Sequence, residues 1–249
     1  MIEFQQLTRT YGDFTAVHPL SLEIPDGEVF GFLGPNGAGK TTTIRMMMGI
    51  LVPSGGRALI NWLDCHSERA LVQRHVGYLP DNPIYYDFLR GREILQFVAE
   101  MHGMDRREAR EQAMRMLKEF GLEEVVDEFA VNYSMGMKKK LGLACALIHD
   151  PKVLILDEPI NGLDPRAARE VQDRLRQAAA SGKTIFMSTH LLDMAEKVCT
   201  RVGIIHRGEL TATGTLDELR ERVNQNVSLE EVFLKLTDEA ATPEGAAAS

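Results

Sequence analysis

Residues 34–41 combine glycines, a lysine and a threonine in a spacing that is typical of phosphate-binding loops. Two glycines enclose four residues and are followed directly by Lys40 and Thr41. Glycine lets the backbone curl until successive N–H groups point at one anion, and a helix that follows directs its positive end there. The Lys40 ammonium would bridge the outer phosphates of a nucleotide, and the Thr41 hydroxyl would bind Mg²⁺. The residues assigned to this site are Gly34, Pro35, Asn36, Gly37, Ala38, Gly39, Lys40, Thr41 and Thr42.

Two carboxylates follow the apolar run of residues 153–156. At the C-terminal end of a parallel strand, Asp157 and Glu158 would both face the nucleotide. Asp157 suits a contact with Mg²⁺, directly or through water, and Glu158 is placed to orient or deprotonate an attacking water. The alternative is a solvated turn, since Asp-Glu-Pro is a common way to leave a strand.

A third apolar run, residues 184–189, ends in His190. A lone histidine is usually solvated or satisfied by neighbours, but this one follows a strand just as Gly34 and Asp157 do. Three polar groups at one rim of the inferred sheet predict that His190 senses the γ-phosphate or positions water.

A second helix start that suits an anion occurs at residues 133–137. Ser134 is an expected N-cap, and Gly136 keeps backbone N–H groups accessible. Simple capping of the helix is the alternative. The adjacent lysines are predicted to form a solvated helical face and receive no functional role: Lys138, Lys139 and Lys140.

The order of short apolar runs and helical patterns predicts an α/β core with a helical insertion. Strands are predicted at 28–33, 153–156, 184–188, 201–206 and 209–212, and helices at 41–48, 90–102, 106–120, 165–180 and 191–198. Apolar residues in the first inserted helix, including Phe97 and Met101, are expected to fill the core. From residue 238 onward the composition predicts a frayed tail.

Composition excludes several classes of protein. The chain has 249 residues, of which 44% are hydrophobic and 26% charged, so most of it is expected to fold. Its net charge of −8 is unfavourable for nonspecific DNA binding. No apolar run approaches the ~20 residues that span a bilayer, and no signal peptide is visible. Three widely spaced cysteines, Cys65, Cys145 and Cys199, fit a reduced, cytoplasmic compartment.

Taken together, these motifs resemble the ATP-binding cassette (ABC) ATPases, over nearly the whole chain to about residue 236. More narrowly, residues 133–141 and 228–234 are similar to ATPase subunits of ABC-2-type transporters, which are commonly exporters. The resemblance implies the P-loop NTPase core of ABC type, with an N-terminal antiparallel β subdomain and an inserted helical subdomain. It divides the chain into the first part of the core (1–82), the helical subdomain (83–150), the second part of the core (151–220) and a C-terminal helix with a flexible tail (221–249).

The same resemblance implies roles for individual residues. Ser134 and Gly136 match the signature loop, which in the family meets the γ-phosphate of ATP on the other protomer, and residues 161–164 match the loop that crosses the dimer seam. Tyr11 matches the aromatic that stacks on adenine, although it could equally be a strand-pair aromatic. Asp81 stands where glutamine is usual; aspartate can still approach Mg²⁺ but, when ionised, donates no hydrogen bond.

The leading hypothesis is therefore a Mg²⁺-dependent ATPase that dimerises with ATP and powers transport through a separate membrane permease, peripheral on the inner face of the membrane. Residues 81–87 are then expected near the permease. A soluble ABC ATPase acting on DNA or ribosomes is the alternative, but such relatives usually carry a long coiled-coil insertion or two cassettes. A small-molecule P-loop kinase would leave residues 134–137 and 161–164 unexplained. Co-purification with a membrane protein would separate the first reading from the other two.

Overall fold

The computed structural model describes residues 1–223 and 228–241 and divides into two compact units. Unit 1 comprises Met1–Arg69 and Ser188–Ser249, and unit 2 comprises Ala70–Met187. The strands are β1 (Ile2–Tyr11), β2 (Phe14–Ile24), β3 (Val29–Leu33), β4 (Gly55–Ile60), β5 (Leu63–Asp64), β6 (Val76–Leu79), β7 (Val153–Asp157), β8 (Thr184–Thr189), β9 (Arg201–His206) and β10 (Glu209–Gly214). The helices are α1 (Lys40–Met47), α2 (Arg69–His75), α3 (Gly91–Met101), α4 (Arg106–Glu119), α5 (Met135–Leu147), α6 (Pro165–Ala180), α7 (Leu192–Val198), α8 (Leu216–Arg222) and α9 (Leu229–Ala241).

Unit 1 contains an antiparallel sheet with the strand order β2-β1-β4-β5. Ile2 of β1 lies opposite Ile24 on one side and Ile60 on the other, and all three are buried. The alternation of buried residues along β1 breaks at Gln6, whose φ is +49°. This bulge shifts the register so that Leu7, instead of Gln6, enters the core.

Unit 1 also contains the parallel pair β3 and β9, with β10 antiparallel to β9. Every residue of β3 is buried, as expected for an uninterrupted apolar strand in a parallel sheet. The associated core joins strand and helix residues: Leu33, Ala195, Val202, Ile204, Leu219, Leu229 and Val232. Helix α9 continues to Ala241, so the prediction of a tail from residue 238 was wrong for its first four residues. The rest of that predicted tail, 242–249, lies outside the described residues.

Unit 2 combines the parallel pair β6 and β7 with helices α3 to α6. Three of these helices begin with a side-chain cap, because Asp105, Ser134 and Asp164 accept hydrogen bonds from backbone N–H groups of the first turn. Pro165 then occupies the first position of α6, where its missing N–H has no cost.

The inserted helix α3 differs from its predicted packing. Its buried residues, Gly91, Ile94, Leu95 and Ala99, follow one helical stripe. Phe97 and Met101 are four residues apart on a different face and are 49% and 72% exposed. The prediction that they fill the core was therefore wrong, since one apolar stripe is enough to bury α3. In the part of the chain that the structure describes, no helix is both long and apolar enough to cross a membrane.

Two histidines of unit 2 stack at the end of helix α3. The His102 and His149 rings have centroids 3.5 Å apart and are inclined by 7°. Burial lowers the pKa of His149 to about 4, and His102 and Lys183 act in the same direction. Because an unfolded histidine has a pKa near 6.5, the unfolded chain takes up a proton at this position first as the pH falls. Above about pH 6.5 His149 is neutral in both states, and the stack contributes fully to the free energy of unfolding. Between about pH 6.5 and pH 4 the unfolded state takes up the proton and this contribution is lost.

Replacing His149 with glutamine should make the free energy of unfolding less sensitive to acid. Between pH 7.5 and 5, we expect the wild type to lose of the order of 1 kcal/mol more than the His149→Gln variant. Urea unfolding at the two pH values measures this difference. His66→Gln, at an exposed histidine, is the matched control and should keep the wild-type slope. Equal acid sensitivity of the wild type and His149→Gln would contradict the assignment.

Candidate functional site

The predicted phosphate loop connects β3 to α1 in unit 1. The Gly34 N–H donates to the Thr189 carbonyl at 3.4 Å, and the Gly208 N–H donates to the Ala38 carbonyl at 3.0 Å. A Cβ on Gly34 would lie 2.4 Å from the Ile205 carbonyl oxygen, so only glycine allows this close approach. Gly39 has φ +107°, a conformation that residues with side chains rarely adopt. The loop is therefore held by backbone contacts that its glycines make possible.

Lys40 is the first residue of α1 and is buried. Its ammonium donates to the Gly34 carbonyl at 2.7 Å and to the Pro35 carbonyl at 3.1 Å. The loop thus closes around a positive charge at a helix N-terminus, with no acidic residue in the first turn of that helix. This donor set suits a polyphosphate, whose oxygens are stronger acceptors than the two carbonyls. Thr41 and Thr42 follow in the first turn and are half-buried.

His190 and Tyr11 also belong to unit 1. His190 follows β8 directly, and its neighbour Thr189 accepts the Gly34 hydrogen bond described above. His190 is therefore the residue directly after the one that binds the start of the phosphate loop. Tyr11 ends β1 opposite Phe14, and the Arg9 guanidinium lies 4.5 Å from the centre of its ring.

In unit 2, Asp157 and Glu158 come at the end of the fully buried strand β7. Asp157 is 1% exposed and Glu158 6% exposed. Glu158 adopts φ +49°, in the left-handed region. Its carbonyl accepts two hydrogen bonds, from the Asn161 N–H at 3.2 Å and from the Lys139 ammonium at 2.5 Å. Both carboxylates therefore lie where a charge needs a compensating partner.

Asp81 is joined to the same lysine. Its Oδ1 lies 3.3 Å from the Lys139 Nζ, with the aspartate about one-third exposed and the lysine almost fully buried. Burial lowers the pKa of Lys139, whereas Asp81, Glu158 and Asp157 act in the opposite direction. Lys139 was predicted to lie on a solvated face of α5, and that prediction was wrong. Its helical spacing could have indicated burial, because residues 139, 142, 143 and 146 share one face of α5 and all are buried.

The predicted signature loop begins helix α5. The Ser134 hydroxyl accepts a hydrogen bond from the Met137 N–H at 3.2 Å, which is the predicted N-cap. A Cβ on Gly136 would meet nothing closer than 3.8 Å, so this helix start is open to an approaching group. No acidic residue occupies the first turn of α5. The arrangement suits an anion, as at the start of α1.

Residues 161–164 lie beside that helix start. Gly162 has φ +75°, and a Cβ there would lie 2.6 Å from the Met135 sulfur. Asp164 ends the segment by capping α6, and the hydrogen bonds from Ala167 and Arg166 lower the pKa of its carboxyl group. Unit 2 thus brings Asp81 and the Glu158 carbonyl to the Lys139 ammonium, and it places residues 161–164 beside the helix start that Ser134 caps.

A family model and two curated relatives connect the chain to ABC transporters and ATP-binding proteins. The family model described as "ABC transporter" matches residues 17–161. YbhF of Escherichia coli (strain K12), described as a probable multidrug ABC transporter ATP-binding protein, is 36% identical over 95% of this chain. The chain spans only 41% of the length of that relative. DrrA of Streptomyces peucetius, a daunorubicin/doxorubicin resistance ATP-binding protein, is 37% identical over 91% of this chain and 68% of its own.

Solved structures agree on the fold. An ATP-binding subunit of an ABC transporter matches with a TM-score of 0.88 and 33% identity, covering 95% of this chain and 99% of the other. An ATP-binding cassette in a dimeric post-hydrolysis state, bound to ADP and Pi, matches with a TM-score of 0.80 and 22% identity, covering 87% and 99%. These likenesses confirm the predicted fold class, an α/β cassette with an antiparallel sheet, a mixed sheet and helices.

Substituting Gly39 should distort the phosphate loop. An alanine Cβ there would lie 2.7 Å from the Ala16 carbonyl oxygen and would have to adopt φ +107°. We expect Gly39→Ala to lower the free energy of unfolding by about 1–3 kcal/mol, measured by thermal or urea unfolding. Gly136→Ala is the control, because its Cβ meets only ordinary contacts and alanine favours the helix, so stability should stay equal or rise. A Gly39→Ala variant as stable as the wild type would contradict this account of the loop.

Proposed function

Because the chain belongs to the ABC transporter family, we propose that it is the ATP-binding and ATP-hydrolysing subunit of a transporter. It powers transport, in the direction of export, through a separate transmembrane partner. The observation that carries this proposal is the loop that wraps the buried Lys40 ammonium at the start of α1. The relatives' names, a probable multidrug ABC transporter ATP-binding protein and a daunorubicin/doxorubicin resistance ATP-binding protein, favour export over action on DNA or ribosomes.

In this proposal the phosphate loop binds ATP. The Lys40 ammonium exchanges the Gly34 and Pro35 carbonyls for oxygens of the outer phosphates, and backbone N–H groups at the start of α1 donate to the same anion. Tyr11 stacks on the adenine through its ring, which is 46% exposed. A strand-end aromatic beside a guanidinium suits a planar base.

A magnesium ion fits the oxygen donors of this set. Thr41 and Asp157 are the proposed ligands, with Asp81 as a further carboxylate, and Mg²⁺ is typically held by one or two carboxylates together with substrate phosphates. One Asp81 oxygen contacts Lys139, and the second oxygen is the proposed ligand. When bound, the ion neutralises charge on the phosphates.

Glu158 and His190 act on the attacking water. The Glu158 carboxylate accepts its proton or orients it, and the buried surroundings of this group strengthen the interaction. His190 positions the water or senses the γ-phosphate, because it follows the strand whose last residue, Thr189, contacts Gly34. Lys40 stabilises the charge that develops on the phosphates.

The open helix start at Ser134 and Gly136 is proposed to meet the ATP of a second copy of the chain. Residues 161–164, which pack beside it through Gly162 and Met135, then line the seam between the protomers. The dimeric cassette that shares this fold supports such a homodimer.

A surface of unit 2 is proposed to contact the transmembrane partner. Ile84 is 93% exposed and Phe88 81% exposed, and Tyr86, Phe97 and Met101 are exposed as well. Tyr86, Phe88 and Phe97 line one groove. A cluster of exposed large apolar side chains is typical of an interaction site. It includes Ile84 and Tyr86 of residues 81–87, the segment predicted near the permease. In this proposal, binding through the surface gives the chain a peripheral location at the inner face of the membrane.

Two substitutions separate binding from hydrolysis. Glu158→Gln should keep the affinity for Mg-ATP within a few fold but lower kcat by about 100-fold or more, because the amide accepts no proton. Lys40→Ala should weaken ATP binding about tenfold or more, since it removes a charged hydrogen-bond donor. Titration with a fluorescent ATP analogue and phosphate release measure the two effects. If Glu158→Gln hydrolysed ATP at the wild-type rate, the assigned base would be wrong.

The dimer has its own test in the Glu158→Gln background, where ATP persists. Light scattering should give a mass twice the 27.8 kDa of one chain with Mg-ATP and the monomer mass without it. Adding Ser134→Arg should abolish the shift, because a bulky cation replaces the open cap. Ser67→Arg, at an exposed serine of unit 1, is the control and should leave dimerisation intact. Dimerisation that survives Ser134→Arg would contradict the proposed role of this helix start.

A further inference from the structure

One buried ammonium in unit 2 joins two segments that the proposed function uses. Lys139 is almost fully buried in the middle of a run of three lysines on α5. Its flanking neighbours differ from it: Lys138 is half-buried, and Lys140 pairs with Glu170 on α6. Lysine is rarely buried without a compensating role, because removing its charge from water costs several kcal/mol.

The contacts of Lys139 are directed at Asp81 and at the backbone of Glu158. The ammonium lies 3.3 Å from the Asp81 Oδ1 and donates to the Glu158 carbonyl at 2.5 Å. These partners are 58 and 19 positions away along the chain. One side chain therefore fixes the distance between the segment after β6 and the residue after β7.

The contact falls on a strained residue. Glu158 has φ +49°, which is unusual for a residue with a side chain. Its carbonyl direction, and with it the direction of the carboxylate, depends on what holds this peptide in place. The Lys139 ammonium and the Asn161 N–H both bind that carbonyl. A donor with a full charge favours this orientation more strongly than a neutral N–H.

We propose that Lys139 is a positioning residue for hydrolysis, which holds the Glu158 peptide in its left-handed conformation and ties it to Asp81. The inference rests on the proposed function, since it assigns Lys139 to the same catalytic carboxylate. Lys139 touches neither nucleotide nor water in this role. Its loss changes the orientation of Glu158 and leaves the phosphate loop of unit 1 intact.

The test compares kcat and KM for ATP in the full-length chain. Lys139→Met keeps an unbranched side chain of similar length in the buried site but removes both contacts. We expect kcat to fall about tenfold or more, because a small misplacement of a catalytic group is costly, with KM within about twofold of the wild type. Lys139→Arg retains charge and donors and should recover part of kcat. Lys138→Met, on the same helix, is the matched control and should keep the wild-type kcat and KM.

A double-mutant cycle separates positioning from general stability. Asp81→Asn keeps an oxygen acceptor but removes the counter-charge of Lys139. Because Asp81 is also a proposed Mg²⁺ ligand, the cycle is run at saturating Mg²⁺, and the part of the Asp81→Asn effect on kcat that acts through the ion pair should disappear when Lys139 is already methionine. Thermal unfolding of each variant sets an assay temperature at which all are folded. If Lys139→Met is folded there and its kcat equals that of the wild type, the inference is overturned. It is also overturned if Lys139→Met fails to fold and Lys139→Arg and Asp81→Asn both leave kcat unchanged. A wild-type chain that hydrolyses no ATP would instead contradict the proposed function itself.

Discussion

Two buried lysine ammonium groups determine how the loops after the buried strands are arranged. Lys40 lies against the Gly34 and Pro35 carbonyls, and Lys139 lies against the Glu158 carbonyl and Asp81. An ion removed from water without such partners would cost several kcal/mol, which is comparable with the net stability of a whole domain. Each loop must therefore turn carbonyl oxygens inward towards its lysine. Unusual dihedral angles occur in both loops, at Gly39 and at Glu158.

Those dihedral angles are the cost of the arrangement. Gly39 carries φ +107° without a side chain to clash, whereas Glu158 carries φ +49° with one. A left-handed non-glycine residue costs of the order of 1–3 kcal/mol and persists only where its surroundings over-determine it. The two hydrogen bonds on the Glu158 carbonyl supply that determination. Glycine would relieve the strain at this position but would remove the carboxylate. A relaxed backbone and a carboxylate are therefore incompatible at residue 158.

Elements with local signals could be predicted from the sequence, and contacts between distant residues could not. Helix α6 has the predicted bounds because Asp164 and Pro165 mark its start in the chain itself, and β9 likewise matches its predicted range. The sequence also predicted that a helix follows the glycine-rich loop, and α1 begins at Lys40. Lys139 was mispredicted because a run of three charges was interpreted as solvated, although its helical spacing on α5 indicated burial. Its contact with Asp81, 58 positions away, had no such local signal. Phe97 was also mispredicted, because helical spacing shows that a residue lies on an apolar stripe of α3 but not whether the rest of the protein packs against that stripe.

The free energy available at the exposed apolar surface is comparable with the free energy that holds Asp81. The apolar side chains of Ile84 and Phe88 would each contribute about 1.5–3 kcal/mol if a partner covered them fully. The Asp81–Lys139 pair joins a partly solvated carboxylate to a buried ammonium, so breaking it costs up to several kcal/mol. Asp81 is only three residues from Ile84, so a partner that draws this segment towards itself has enough free energy to stretch the ion pair. The contact between Lys139 and the Glu158 carbonyl is buried and has no such solvated member. Binding at the apolar surface would therefore change the Asp81 end of the linkage first, while the Glu158 peptide stays held by the lysine and by Asn161.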